Sequence, residues 1–273
     1  MSFFKRMLSS IGIGSAKVNT MLEGELFHPG ETINGVVEIK GGNTPQQIDG
    51  LYFSILTSYT TTVQVEKTTE PEDGSEPEIE IIEEEVTKTH TLHSFKIDDN
   101  CSVEANETKQ VTISFQLPWG TPLSQGTSKT WITTGLDIKK GLDSSDKDYI
   151  QVAASTLVQE TLQAMDQLGF VLNEVDCEEA PAARQPDYPI IQEFEFKPNS
   201  SSFQGQLDEI ELVFMPKENE LEIYMEIDRK IRGISSFVVE MIGGDETQLR
   251  FSVTNDDIEG LNEKISNLIT TRL

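Results

Sequence analysis

The chain is poor in cysteine, histidine and positive charge. Its 273 residues contain two cysteines and three histidines, and only 21 Lys+Arg stand against 47 Asp+Glu. Cys101 and Cys177 are far apart in sequence and form no C-x-x-C pair. That usage argues against a disulfide-stapled secreted domain and fits a reducing cytoplasm. A net charge of −26 repels phosphate backbones, which excludes nucleic acid as the expected partner. Basic protein segments and divalent cations are the easier electrostatic partners, and the acidity also serves solubility. No segment approaches the roughly 20 apolar residues that span a bilayer. The start, Met1-Ser-Phe-Phe-Lys-Arg-Met-Leu-Ser-Ser-Ile11, lacks the continuous apolar core of a signal peptide, and Ser2 does not fit N-myristoylation.

Catalytic constellations are missing as well. There is no G-x-S-x-G elbow and no G-x-x-x-x-G-K-[ST] loop. Gly12 and Gly14 lead into a strand pattern rather than a dinucleotide-binding βαβ unit. His90 and His93 form H-x-x-H, but in a strand that spacing sends the two rings to opposite faces. Neither cysteine has a neighbouring histidine to activate it. Asp143-Ser-Ser-Asp-Lys-Asp148 and Asp98-Asp99 are rich in hard oxygen ligands, yet neither has the spacing of a calcium loop, so both read as acidic turns. No catalytic residue, no metal and no cofactor is therefore expected.

What the sequence does contain is a strand pattern. Val18–Leu26, Ile33–Ile39, Leu51–Tyr59, Val111–Leu117, Thr130–Thr134 and Asp148–Val152 alternate or are rich in β formers, and turn signals such as Phe27-His-Pro-Gly30 separate them. Residues 66–85 interrupt this with ten acids against Lys67 and read as a solvated hairpin tip whose second half, from Ile79, returns as strand. Residues 155–169 read as a helix: Thr156-Leu-Val-Gln159 can form a capping box, and Leu157, Val158, Leu162, Met165 and Leu168 make one apolar stripe. Strands resume at Phe170–Val175, Ile191–Phe196, Leu207–Met215, Leu221–Asp228 and Leu249–Thr254. The chain ends in an amphipathic helix lined by Ile258, Leu261, Ile265, Leu268 and Ile269.

These segments predict an all-β protein of two tandem antiparallel β-sandwiches: 1–154, a connecting helix at 155–169, a second sandwich at 170–256 and a C-terminal helix at 257–273. Phe3, Phe4, Met7 and Leu8 share one face of a short amphipathic segment, a candidate docking face. Open sheet edges also leave room for a homo-oligomer.

Several blocks carry a family resemblance: Ser2–Lys5, Gly12-Ile-Gly14 with Ala16-Lys-Val18, Ile39–Gly42, Ser114–Pro118, Trp131-Ile-x-Thr-Gly-Leu-Asp-Ile-Lys139, Glu174–Pro181, Leu207–Phe214 and Glu226-Ile-Asp-Arg229. They span nearly the whole chain, and they make it resemble the Spo-zero-M sporulation-control family of arrestin-like bacterial proteins. The acidic insert at 70–85 looks longer than usual for that family. The resemblance implies an arrestin-like tandem of sandwiches, a cytoplasmic regulatory role and no catalytic residue. In such folds charge contacts hold the domains in register, which makes Arg229 and Arg232, in the basic cluster Arg229-Lys-Ile-Arg232, candidates for interdomain charge contacts. The expected function is a non-catalytic adaptor that binds other proteins. A membrane-associated scaffold docking by its terminal amphipathic segments is the alternative, and an enzyme with an unrecognised site ranks third.

Overall fold

The computed structural model describes residues 15–69, 78–97, 101–139, 143–180, 189–199, 202–229 and 248–273. The chain divides into two compact units that are not contiguous in sequence. Residues 58–90 and 125–128 group with the C-terminal part, and the N-terminal unit comprises 1–57, 91–124 and 129–155.

In the first unit, β1 (Lys17–Leu22), β3 (Thr32–Lys40) and β7 (Thr108–Gln116) form one antiparallel sheet in the order β1-β3-β7. The second sheet uses the first half of β4 (Gln46–Thr69) and the last residues of β5 (Glu78–Ile97), with β6 (Cys101–Val103) on the start of β4. It continues through β8 (Thr130–Ile138) and β9 (Ser144–Val152) to β2 (Leu26–Phe27), which pairs in parallel with β9. Period-two alternation sends Val18, Ile33, Val37, Ile39 and Ile113 from one sheet, and Ile48, Leu51, Phe53, Ile55, Ile132 and Leu136 from the other, into a common core. Phe95 closes it, stacked on Phe53 at 4.8 Å and tilted against Phe115 at 5.3 Å.

In the second unit, β10 (Phe170–Glu179), β11 (Ile190–Pro198), β12 (Leu207–Pro216), β13 (Leu221–Arg229) and β14 (Gln248–Val253) form an antiparallel sheet in chain order. The outer half of β4 meets β10 in parallel at Thr60 and Glu178, where Thr61 donates to Glu179 at 3.0 Å. Two helices, α1 (Thr156–Gln167) and α2 (Leu261–Thr270), pack against each other, and α1 also lies against β10. Their buried residues are Val158, Ala164 and Met165 on α1 and Leu261, Ile265 and Ile269 on α2. The first described face of the sheet supplies Phe170, Cys177, Phe194, Phe196, Ile210, Leu212, Ile223, Met225 and Ile227 to the buried interior.

Several boundaries differ from those read off the sequence, for local reasons. The strand expected over Val18–Leu26 breaks at Gly24, whose φ of +116° lies in the region open to glycine, and β2 restarts as a two-residue bridge. The acidic hairpin returns as strand in its second half as expected, with β5 beginning at Glu78, but β4 runs on to Thr69, so 66–69 are strand rather than tip. Alternating threonine and valine at Thr60-Thr-Thr-Val-Gln-Val65 sustain the pairing despite the charge. Likewise Asp143–Asp148 is not a turn, since β9 starts at Ser144. Thr156 is the first helical residue of α1, so the cap position falls on Ser155 rather than on Thr156 as the capping-box reading required. Gly169, with φ +82°, ends that helix as expected.

Candidate interaction surface

Period-two alternation puts the apolar residues of β10–β13 inside and their acids outside. Register then brings the acids of neighbouring strands side by side. Glu174 pairs with Glu195, Asp176 with Glu193, Glu195 with Glu211 and Glu211 with Glu226. Glu174, Asp176, Glu178, Glu193, Glu195 and Glu211 together line a shallow depression on this face. Like charges placed opposite each other in a sheet cost stability. Basic side chains offset part of that cost. Lys197 sits 2.8 Å from Glu195 and 3.8 Å from Glu209. Its ammonium donates to Glu195 and holds that carboxyl below its usual range, with Asn173 donating at 2.9 Å. Glu209 is pushed up, by burial first and then by Glu195. Further along, Glu222 is buried on β13 and accepts from Arg250, which also stacks over Tyr224 at 5.0 Å, and from Lys217 at 3.2 Å. Those two donors hold its carboxyl low.

The outward face of the first unit has a different chemistry. Lys147 projects over Trp131 at 3.9 Å and Tyr149 at 4.6 Å, while Lys96 lies over Tyr52 at 5.1 Å. Tyr149 is 58% exposed and Tyr52 43%. Sequence reading took these segments as strands but did not assign their faces. The signal was present in the parity of Tyr52 against the buried Leu51 and Phe53, and of Tyr149 against the buried Ile150.

Beneath Lys147, on the opposite face of β9, two acids point toward the core. Asp146 accepts from the Thr20 amide at 2.7 Å, beside the buried Thr20–Thr134 hydroxyl pair at 2.6 Å. Burial, then the neighbouring Asp146, pushes the Asp148 carboxyl up to about 7, and its Oδ2 has no hydrogen-bond partner among the described residues.

The residues singled out in sequence fall as follows. Arg229 ends β13 opposite Leu207, and Arg232 lies outside the described residues. Phe3, Phe4, Met7 and Leu8 also lie outside them, as do Asp98 and Asp99. His90 and His93 both belong to β5, and His93 stacks 5.9 Å from Phe95. Cys177 is fully buried, and burial leads the effects that push its thiol up to about 11. A neutral thiol of that kind is no nucleophile. Asp143 accepts from the Ile138 amide at 3.2 Å, so it serves the β8–β9 connection. Among the described residues no group of three or more His, Cys, Asp or Glu could hold a metal, and no helix is long and apolar enough to cross a membrane.

Comparison with known proteins places this geometry in a lineage. A crystal structure of Spo0M, the sporulation control protein from Bacillus subtilis, superposes with a TM-score of 0.77 at 32% identity, over 96% of this chain and all of that one. The arrestin-like, all-β fold with helices is therefore the observed one. The sporulation-control protein spo0M of Bacillus subtilis (strain 168) is 37% identical over 272 residues, covering 98% of each chain. The model of the family described as SpoOM protein matches residues 4–231, so the chain belongs to the SpoOM protein family.

Proposed function

We propose that the protein is a non-catalytic cytoplasmic regulator that acts by binding other proteins, in sporulation control where its host sporulates. The observation that carries this reading is the 37% identity, end to end, with a protein named for sporulation control. The two outward sheet faces support the binding role. One is acidic around Glu174, Asp176, Glu193, Glu195 and Glu211, and suits basic protein surfaces. The other offers the exposed Tyr149 and Tyr52, a residue type enriched in binding hot spots. Cys101 and Cys177, which form no disulfide, suit a reducing compartment.

The test is affinity capture from the native extract with the wild-type chain and with a Glu174→Lys/Asp176→Lys/Glu193→Lys variant shown to melt like it. Partners held by the wild type and lost from the variant are expected. No reproducible partner above background with either chain contradicts the reading.

A further inference from the structure

A second interaction element lies in the acidic hairpin, and it depends on main-chain geometry rather than on a face. Strand β5 is 20 residues long and, among the described residues, pairs only with β4. Its stretch Glu80–His90 belongs wholly to the second unit. In a two-stranded ladder about half of the N–H and C=O groups point away from the partner. Along Glu80–His90 no strand among the described residues pairs with those groups. Side-chain cover there is slight: Ile81 is 64% exposed, and Glu83, Glu84, Glu85, Thr87, Lys88 and Thr89 are exposed on both faces.

Proteins usually blunt such an edge with proline, a bulge, short length or lysines. There is no proline between Glu80 and His90, the strand is long, and Lys88 is the only lysine in that stretch. Ile81, Ile82, Val86, Thr87 and Thr89 are strong β formers. The one protective device is the run Glu83-Glu-Glu85 with Glu80, and it acts selectively. A second copy paired here would set carboxylates against carboxylates between two chains of charge −26. A strand carrying Lys or Arg at alternate positions would instead set them against Glu83 and Glu85 on one face, or against Glu80 and Glu84 on the other.

We propose that the outer edge of β5 between Glu80 and His90 is a docking strand for an extended, Lys/Arg-bearing segment of a protein partner, added as the next strand of the ladder. The inference rests on the protein-binding reading and assigns one partner class to one element.

Amide hydrogen exchange, read residue by residue on the full isotope-labelled chain, tests it with three probes: a ten-residue peptide alternating lysine and valine, its glutamate counterpart, and the lysine peptide interrupted by proline. In the free chain every second amide between Ile81 and His90 exchanges without protection. Saturating lysine peptide is expected to slow that set at least tenfold, while the other two peptides leave it unchanged. In a Glu83→Lys/Glu85→Lys variant the glutamate peptide becomes the protecting one. Three results overturn the proposal: no new protection at 81–90; protection confined to β10–β13; or an edge already protected in the free chain, with sedimentation showing a dimer. The capture experiment above separates the two readings. Partners retained equally by wild type and Glu83→Lys/Glu85→Lys overturn the edge assignment and leave protein binding standing, whereas no partner with any chain overturns both.

Discussion

Replacing Asp148 by asparagine removes one titrating oxygen from the core side of β9 and nearly preserves its shape. Burial and the neighbouring Asp146 push the native carboxyl from its ordinary 3.8 to about 7. Lys147 gives no relief, because it projects from the opposite face of the strand over Trp131. The folded state therefore keeps a proton that the unfolded chain releases, and stability falls as pH rises from near 4 through about 7. At about 1.4 kcal/mol per pH unit, that gap corresponds to roughly 4 kcal/mol for a fully buried group. Asp148 is only partly buried, and solvent screening brings the expectation to about 2 kcal/mol. Urea unfolding of wild type and Asp148→Asn at pH 4, 5.5, 7 and 8.5 isolates the effect of this carboxyl together with its interaction with Asp146, since groups remote from the pair titrate alike in both chains. Near pH 4 the two should be about equally stable. By pH 8.5 the variant should lead by about 2 kcal/mol. A difference that does not change with pH, or a wild type that gains on the variant as pH rises, refutes the reasoning.

Three further outcomes follow from local geometry. Gly30 has φ +82°, and a Cβ there would fall 2.3 Å from the Trp119 ring, so Gly30→Ala should cost roughly 2–4 kcal/mol. Gly205 has φ +81° with open space around it, so Gly205→Ala should cost only about 1 kcal/mol; equal losses on thermal melting would contradict the packing argument. Asp257 accepts from Lys264 at 2.8 Å and from the Thr254 amide at 2.8 Å, contacts that hold its carboxyl down at about 2. That stabilisation is present above the unfolded value of 3.8 and is lost as pH falls toward 2. Asp257→Ala should therefore destabilise by about 1 kcal/mol at pH 7 and by little at pH 2. Cys177, buried and neutral, should resist alkylation at pH 8 in the native chain and react on unfolding, which mass spectrometry of the labelled peptide reads directly.

Much of the fold was legible because alternation is a local signal. Leu221, Ile223, Met225 and Ile227 face inward on β13 as their spacing requires, and Gly169 closes α1 where it was expected. What escaped the sequence is what depends on long-range pairing. Nothing local announces that Ser144–Asp148 joins a ladder with Ile132–Leu136, because an acid-rich segment reads as a turn until its partner strand is known. The same holds for 66–69, where charge concealed the continuation of β4, whereas the isoleucines from Ile79 announced the returning strand. The acidic face of β10–β13 was half legible: each strand showed its outward acids, but their convergence depends on the register between strands. Arg229 and Arg232 were chosen for their charge density, a property that does not fix a contact.

The claim that the chain works by holding protein partners is tested most directly by proximity labelling in the source cell, comparing the wild type with the Glu174→Lys/Asp176→Lys/Glu193→Lys and Glu83→Lys/Glu85→Lys variants at matched abundance. The account predicts a reproducible set of labelled proteins, enriched in basic segments, that shrinks when either acidic element is reversed. A labelled set indistinguishable from that of an unrelated cytoplasmic protein of equal charge would contradict it.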